Sequence, residues 1–428
     1  FSVNHGFYDS TQTLVLNTST SGASIRYTTN GEAPTAANGT AITPGSSITV
    51  DGTSTIRAIA YRDGWISSPV ETRSYLFTDD IIQQGQPAGW PTGPVNGQVL
   101  NYGMDPNIVD GNEAAVEAAL TGIPTISIVT DLDNLFDSTD GIYVNADQRG
   151  SEWERQASVE LIDPSGAQTG FDIEAGLRIR GGYSRIDPNA KHALRVYFRD
   201  DYESQLDYPL FGDEGVSDFE IMDLRTASNY AWSWRHTRTA SFVDELWSRD
   251  TQAAMGHPYT RSRQYHLYLN GTYWGLYMSQ ERVSGEYGET YFGGNEDDYD
   301  VMKRNAPGRE TEAGDGTDVA WKSLYPLISD LNVSNAEYDQ IASQVDIVNL
   351  ADYYLLHFWT GDFDGSPSWY FRDAGSWQHS NNWFALRNRN GVGQAAKWRF
   401  FDHDSEHSLC ANGGPSLEED IDNTTPWN

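Results

Sequence analysis

Two short acidic stretches carry the residues best suited to chemistry. TGDFDG (Thr360 to Gly365) sets Asp362 and Asp364 directly after a helical pattern, and DHDSEHSL (Asp402 to Leu409) follows an apolar strand pattern, KWRFF (Lys397 to Phe401). Alternate residues of an extended chain share a side, so Asp402, Asp404 and Glu406 are expected to face one way. Three like charges on one face repel. The arrangement persists when a divalent cation or bound cationic group neutralises it, or when water screens it. Phosphoryl transfer asks little more of a protein than a carboxylate to orient or deprotonate the acceptor hydroxyl and oxygen ligands for Mg²⁺. One aspartate after a helix and another after a strand supply both parts. The plainer reading is an exposed acidic turn.

The cations gather elsewhere. Arg178, Arg180, Arg185, Lys191 and Arg195 lie close together in a chain with 28 Lys plus Arg against 61 Asp plus Glu. Leu177 and Ile179, then Leu194, Val196 and Phe198, alternate with polar residues on either side of Gly181-Gly182. This predicts a hairpin with a glycine break and outward arginines. Such a hairpin can set cations and backbone amides around a polyphosphate. It can also be a hairpin with surface arginines, and the GxxxxGK[ST] phosphate loop is absent.

Several elements must position these residues. Asp346 reads as the N-cap of a helix whose Ile347, Leu350, Ala351, Tyr354, Leu355 and Phe358 form an apolar stripe, expected to be core. Ile221 to Ser233 opens a region expected to be helical, with Ala240, Val243, Leu246, Trp247 and Ala254 on one buried face. Tyr265 to Val283 reads as a hairpin turning at Asn270-Gly271 and closing on Glu281-Arg282. Glu281 suits either a grip on a phosphate-binding lysine or a salt bridge to an arginine. The run Glu296 to Asp298 lacks calcium-loop spacing and reads as a solvated loop. Ile123 to Thr130 and Ser158 to Asp163 are expected strands.

At 428 residues the chain calls for two or three domains. Residues 1–78 show short alternating strands at Thr11 to Leu16, Ser24 to Thr28 and Thr55 to Ala60, with Asn30-Gly31 and Asp63-Gly64 turns. They predict a small antiparallel β-sandwich of the immunoglobulin or fibronectin kind. Residues 79–106, rich in Gly, Pro, Gln and Asn, read as a linker, and 107–428 as the large domain. The net charge of −33 disfavours nucleic acid and anionic lipid as partners. The single Cys410 cannot form an internal disulfide, and no apolar run is long enough for a membrane-spanning helix. Starting at Phe1, the sequence reads as a fragment.

The N-terminal stretches SIRYTTNGEAPT (Ser24 to Thr35) and Ser54 to Phe77 resemble the β-sandwich module at the C-terminus of chitobiases and hexosaminidases. There Trp65 and Tyr27 could stack on sugar rings, although packing also explains them. GLRIRGGYSR (Gly176 to Arg185), AKHALRVYFRDDY (Ala190 to Tyr202), Glu281-Arg282, FGGNEDDYDVMK (Phe292 to Lys303) and the two acidic turns resemble, in order, the spore-coat-protein-H (CotH) kinase family. The resemblance implies an atypical protein-kinase-like α+β domain. It implies Asp364 as the catalytic aspartate, Asp404 as a metal ligand with Glu406 two positions on, and Asn382 before Trp383 as a metal-side asparagine. Lys191, with Arg180 as second choice, is implied at the nucleotide phosphates, supported by Glu281. Asp362 stands where the family often has Asn, and His403 where Trp is usual. Ser366 to Ser380 reads as an insertion before Asn382.

These readings converge on a secreted, bacterial, Mg²⁺- and ATP-dependent protein kinase at the cell surface or beyond, acting on Ser or Thr of an exported protein. The rival is a non-catalytic surface or adhesion protein with a glycan-binding sandwich. A glycoside hydrolase using Asp364 and Asp404 ranks last, because the basic hairpin has no part in that chemistry.

Overall fold

A computed structural model describes residues 1–185, 189–226, 242–304, 311–328, 332–362, 364–366 and 381–410. The chain is mixed α+β and divides into two compact units. One comprises Phe1–Leu210, Ser217–Ser228 and Gln264–Ser279; the other Phe211–Val216, Asn229–Arg263 and Gln280–Asn428.

The first unit begins with a β-rich module. Gly6–Phe7, Glu71–Leu76, Ser54–Tyr61, Ser24–Thr28 and Thr40–Ile42 form a five-stranded sheet in that order, and Gln12–Val15 pairs with Ser47–Val50. Leu14 and Val50 from the small sheet share one core with Ile25, Ile56, Ala58 and Tyr75 from the large one. The sheets are not wholly antiparallel, since Gly6–Phe7 runs parallel to Tyr75–Leu76.

Beyond the module, seven strands close into a barrel that a plain kinase-like expectation did not include. Their order is Phe171–Ile179, Leu194–Tyr197, Ile221–Arg225, Thr272–Gln280, Ser262–Leu269, Thr125–Val129 and Arg155–Ile162. The predicted basic hairpin supplies the first two strands, with Arg178 opposite Arg195. Ile221–Arg225 is a strand, not the start of a helix, and residues 227–241 lie outside the described residues. Asn270-Gly271 makes the sharp turn expected, with φ of 46° and 78°, values that Asn and Gly tolerate best.

Residues 79–106, read from the sequence as a linker, are integrated into this unit. Ile81 and Ile82 share a core cluster with Leu76 of the module and with Ile162 and Tyr268 of the barrel, and Trp90 and Tyr102 are buried. Polar side chains reinforce the seam. Thr72 bonds Ser158 at 2.7 Å, Ser74 bonds Ser127 at 2.7 Å, and the Ser74 amide donates to buried Glu160 at 3.1 Å.

The second unit holds an antiparallel sheet ordered Glu312–Asp315, Tyr299–Arg304, Trp383–Asn388 and Arg399–Asp402. Its last strand would expose unpaired backbone groups, a costly state when buried. Two helices satisfy them with side-chain amides. Asn349, on the Ile347–Thr360 helix, donates to the Phe400 carbonyl at 3.2 Å and accepts its amide at 2.6 Å. Gln252, on the Asp244–Ala254 helix, donates to the same carbonyl at 2.8 Å and accepts the Asp402 amide at 2.9 Å.

This edge pairing overturns two expected apolar faces. The Asp244–Ala254 helix buries Asp244, Glu245, Ser248, Arg249 and Gln252, while Val243 just before it is exposed. The Ile347–Thr360 helix buries Asn349, Tyr353, Leu356, His357 and Thr360, leaving Ala351, Leu355 and Phe358 exposed. Ile347, Leu350 and Tyr354 are half-buried against the aromatic core of Trp383, Trp398 and Phe400. Asp346 does cap this helix, accepting the Asn349 amide at 3.2 Å, and Gly361 ends it in the left-handed conformation with φ 66°.

Candidate active site

The second unit gathers most of the candidate residues around the end of the Arg399–Asp402 strand. Ligand oxygens of Glu245, Asp404 and Glu406 all lie within 4.8 Å of one another. The expected single file of Asp402, Asp404 and Glu406 is broken, because the strand ends at Asp402 and Asp404 takes φ 59°. Such backbone in a non-glycine residue costs free energy and persists where surrounding contacts over-determine it. Here the Asp404 amide donates to Glu245 Oε1 at 3.0 Å. The same oxygen accepts from Arg249 at 2.7 Å and Gln280 at 2.6 Å, so its direction is fixed from three sides.

Asp364 lies in the other acidic turn. Asn381 donates to its Oδ1 at 3.1 Å and to its carbonyl at 3.2 Å, and Asn382 donates to its Oδ2 at 3.0 Å. Asn382 also has left-handed backbone, with φ 48°. Both carboxylate oxygens are therefore oriented by amides immediately before the Trp383–Asn388 strand. Of the apparent insertion, Ser366 to Ser380, all but Ser366 lies outside the described residues.

Asp362 and Asp402, each two residues before a candidate catalytic aspartate, turn inward to His357. Its Nδ1 is 2.9 Å from Asp362 Oδ2 and its Nε2 is 3.5 Å from Asp402 Oδ1. Burial works to lower the His357 pKa, but the Asp362 hydrogen bond and both carboxylate charges outweigh it and leave the imidazole raised. Burial raises the Asp402 carboxyl, against the pull of His357, Arg249 and Ser405. Burial also lowers His407 to about 4. His403, at the position where tryptophan was usual, sets its ring edge-on to Phe384 at 4.7 Å.

Glu281 pairs with Arg261 at 3.1 Å, accepts the Arg261 amide at 2.7 Å and bonds the Tyr291 hydroxyl. Of the two roles open to it, the arginine pair is the one seen within its unit.

Lys191 and Arg180 belong to the first unit. Arg180 and Arg195 both engage buried Asp223, at 3.0 and 2.5 Å, and Arg178 engages Glu154 at 2.5 Å. Arg185 bonds backbone carbonyls, including Ala146 and Gln148. Lys191 differs: its ammonium bonds the Trp274 carbonyl and sits 4.7 Å from the centre of that indole ring. Burial lowers its pKa to about 8. Carboxylates thus neutralise Arg178, Arg180 and Arg195 within the hairpin's unit, while Arg185 and Lys191 bond backbone carbonyls instead.

The acidic cluster suits a hard divalent cation. Its donors are all carboxylate oxygens, the ligand type Mg²⁺ takes. Asn381 Oδ1, beside Asp364, is buried with no hydrogen-bond donor among the described residues, an oxygen available to a positive group. Glu245 is the residue that sequence reasoning missed. Its signal was present in Glu245, Ser248, Arg249 and Gln252, polar residues at helical spacing that mark a buried polar face.

Comparison with protein families identifies two regions of the chain. The family described as CotH kinase protein matches residues 177–426, and the chitobiase/beta-hexosaminidase C-terminal domain matches residues 3–72. No curated protein matches the chain.

Proposed function

Because the chain belongs to the CotH kinase protein family, we propose that it transfers the ATP γ-phosphoryl group to Ser or Thr hydroxyls of an exported or cell-surface protein. The observation that carries this reading is the acidic pair of turns: Asp364 oriented by two asparagine amides, beside the carboxylate cluster of Glu245, Asp404 and Glu406. Glu245, Asp404 and Glu406 would hold Mg²⁺, joined by Asn382 on the family pattern. Bound there, the cation supplies charge neutralisation for the phosphates. Asp364 accepts the proton of the incoming hydroxyl, and its two amide partners hold its carboxylate in one orientation. Lys191, whose ammonium is desolvated by burial, gains from an anionic partner and on the family pattern pairs with the nucleotide phosphates.

Purified protein incubated with labelled ATP and Mg²⁺ tests the reading. Label should appear on the protein itself or on casein and vanish in Asp404→Ala. No labelling, with Asp404→Ala indistinguishable from wild type, would sink it.

A glycan-binding role for the module rests on a separate observation. Trp65 is 64 % exposed, with the Arg62 guanidinium 5.0 Å from its ring centre, so a sugar has an open face to stack on. Tyr27 packs against the module core and is not available in the same way. A glycan array probed with wild type and Trp65→Ala separates this role from the kinase reading.

A further inference from the structure

We infer that His357 is a positioning residue that ties the turn bearing Asp364 to the turn bearing Asp404. The inference rests on the phosphotransfer reading for what those turns do. Its structural part stands on contacts alone.

His357 lies in the last turn of the Ile347–Thr360 helix, fully surrounded, with 2 % exposure. Its carbonyl accepts the Gly361 and Asp362 amides, so its backbone already anchors the first acidic turn. Its ring then reaches both turns, Nδ1 toward Asp362 and Nε2 toward Asp402. Each aspartate passes the constraint on. Asp362 Oδ1 accepts the Asp364 amide at 3.2 Å, and Asp402 Oδ2 accepts the Ser405 hydroxyl at 2.7 Å. A chain of three hydrogen bonds and one ion pair therefore runs from the backbone of Asp364, through the imidazole, to the residue after Asp404.

Two features show that this is more than packing. Three ionisable groups are buried together, an arrangement whose desolvation cost a leucine of similar volume would avoid. In addition, His357 Nε2 and Asp402 Oδ1 are both buried with no hydrogen-bond partner among the described residues, and each faces the other across 3.5 Å. The separation is longer than a hydrogen bond and within ion-pair range. Gly365 seals the assembly. A Cβ there would lie 2.6 Å from both Asp362 Oδ2 and His357 Nδ1, so the loop covers the ion pair directly. The raised imidazole pKa agrees with donation at both nitrogens.

Two half-bridges test the assignment. In His357→Asn the amide nitrogen takes the place of Nδ1 and keeps the Asp362 link; in His357→Gln it takes the place of Nε2 and keeps the Asp402 link. Mn²⁺ uptake, followed by the loss of the free-ion electron paramagnetic resonance signal, reads the Asp404 turn without any turnover. Labelled-ATP kinetics read the Asp364 turn. His357→Asn should weaken Mn²⁺ affinity about tenfold, and His357→Gln should hold it within about threefold while kcat falls about tenfold at little-changed KM. Near-ultraviolet circular dichroism establishes that both variants fold. If wild type takes up no Mn²⁺, or if the two variants lose Mn²⁺ affinity equally, the inference is wrong. If wild type takes up Mn²⁺ and the variants split as expected without any phosphotransfer, the inference stands and the kinase reading fails.

Discussion

Asn382 donates its side-chain N–H to Asp364 Oδ2 at 3.0 Å while its own backbone sits at φ 48°. A residue in left-handed backbone, which asparagine tolerates better than most, thus holds the aspartate that the kinase reading makes the base. Asn382→Ala should free one carboxylate oxygen and lower kcat on the order of a hundredfold, with the KM for ATP changed much less. Steady-state kinetics over a range of ATP concentrations check this.

Glu245 gives a second test. Glu245→Gln keeps an acceptor for Arg249, Gln280 and the Asp404 amide but removes one charge from the cluster. Divalent affinity should fall about tenfold with the fold intact, read by Mn²⁺ titration and a thermal melt.

Crowding at Gly365 predicts a stability defect. An alanine methyl would press on Asp362 Oδ2 and His357 Nδ1 at 2.6 Å, and overpacking of this kind costs ~1–3 kcal/mol. Gly365→Ala should lower the denaturation midpoint in urea and release the Asp364 turn together with it.

The pH dependence follows from His357. Its pKa is raised above 6.5 in the folded state, so the folded chain holds the proton longer than the unfolded one. The stabilisation is full below the unfolded value and is lost as pH rises through the raised folded value. Asp402, raised by burial, works in the same direction. The difference in Tm between wild type and His357→Leu should therefore be larger near about pH 5.5 than near about pH 9.

Lys191 carries the opposite sign. Burial depresses it to about 8, so between that value and 10.5 the unfolded chain binds more protons and stability rises with pH. At neutral pH its buried charge is a cost. Lys191→Met should raise Tm without nucleotide and abolish the further rise on adding ATP and Mg²⁺, a pair of shifts read in one differential scanning experiment.

Local pattern made the strands and turns legible. The Asn270-Gly271 hairpin, the glycine-broken basic hairpin, the Asp346 cap and the two acidic turns all follow from spacing and turn chemistry. What escaped depends on partners far along the chain. Nothing near Arg180 in the sequence announces Asp223, and nothing near Glu245 announces the amide of Asp404. The helix faces were misjudged for one physical reason: an edge strand needing hydrogen bonds was covered by Asn349 and Gln252, so polar residues went inward and Val243, Leu355 and Phe358 outward. The family pattern could place Asp364 and Asp404, but not the histidine whose ring faces Asp362 and Asp402 between them.

The barrel imposes an order on synthesis. Thr272–Gln280 lies between Ile221–Arg225 and Ser262–Leu269 in the closed ring, so until that strand leaves the ribosome the sheet has two open edges. The module can gather its core from the first 77 residues, whereas the strands next to it must wait for about two hundred more. During that interval the nascent chain presents open, apolar strand edges to its surroundings, and chaperone demand should peak there rather than while the module folds.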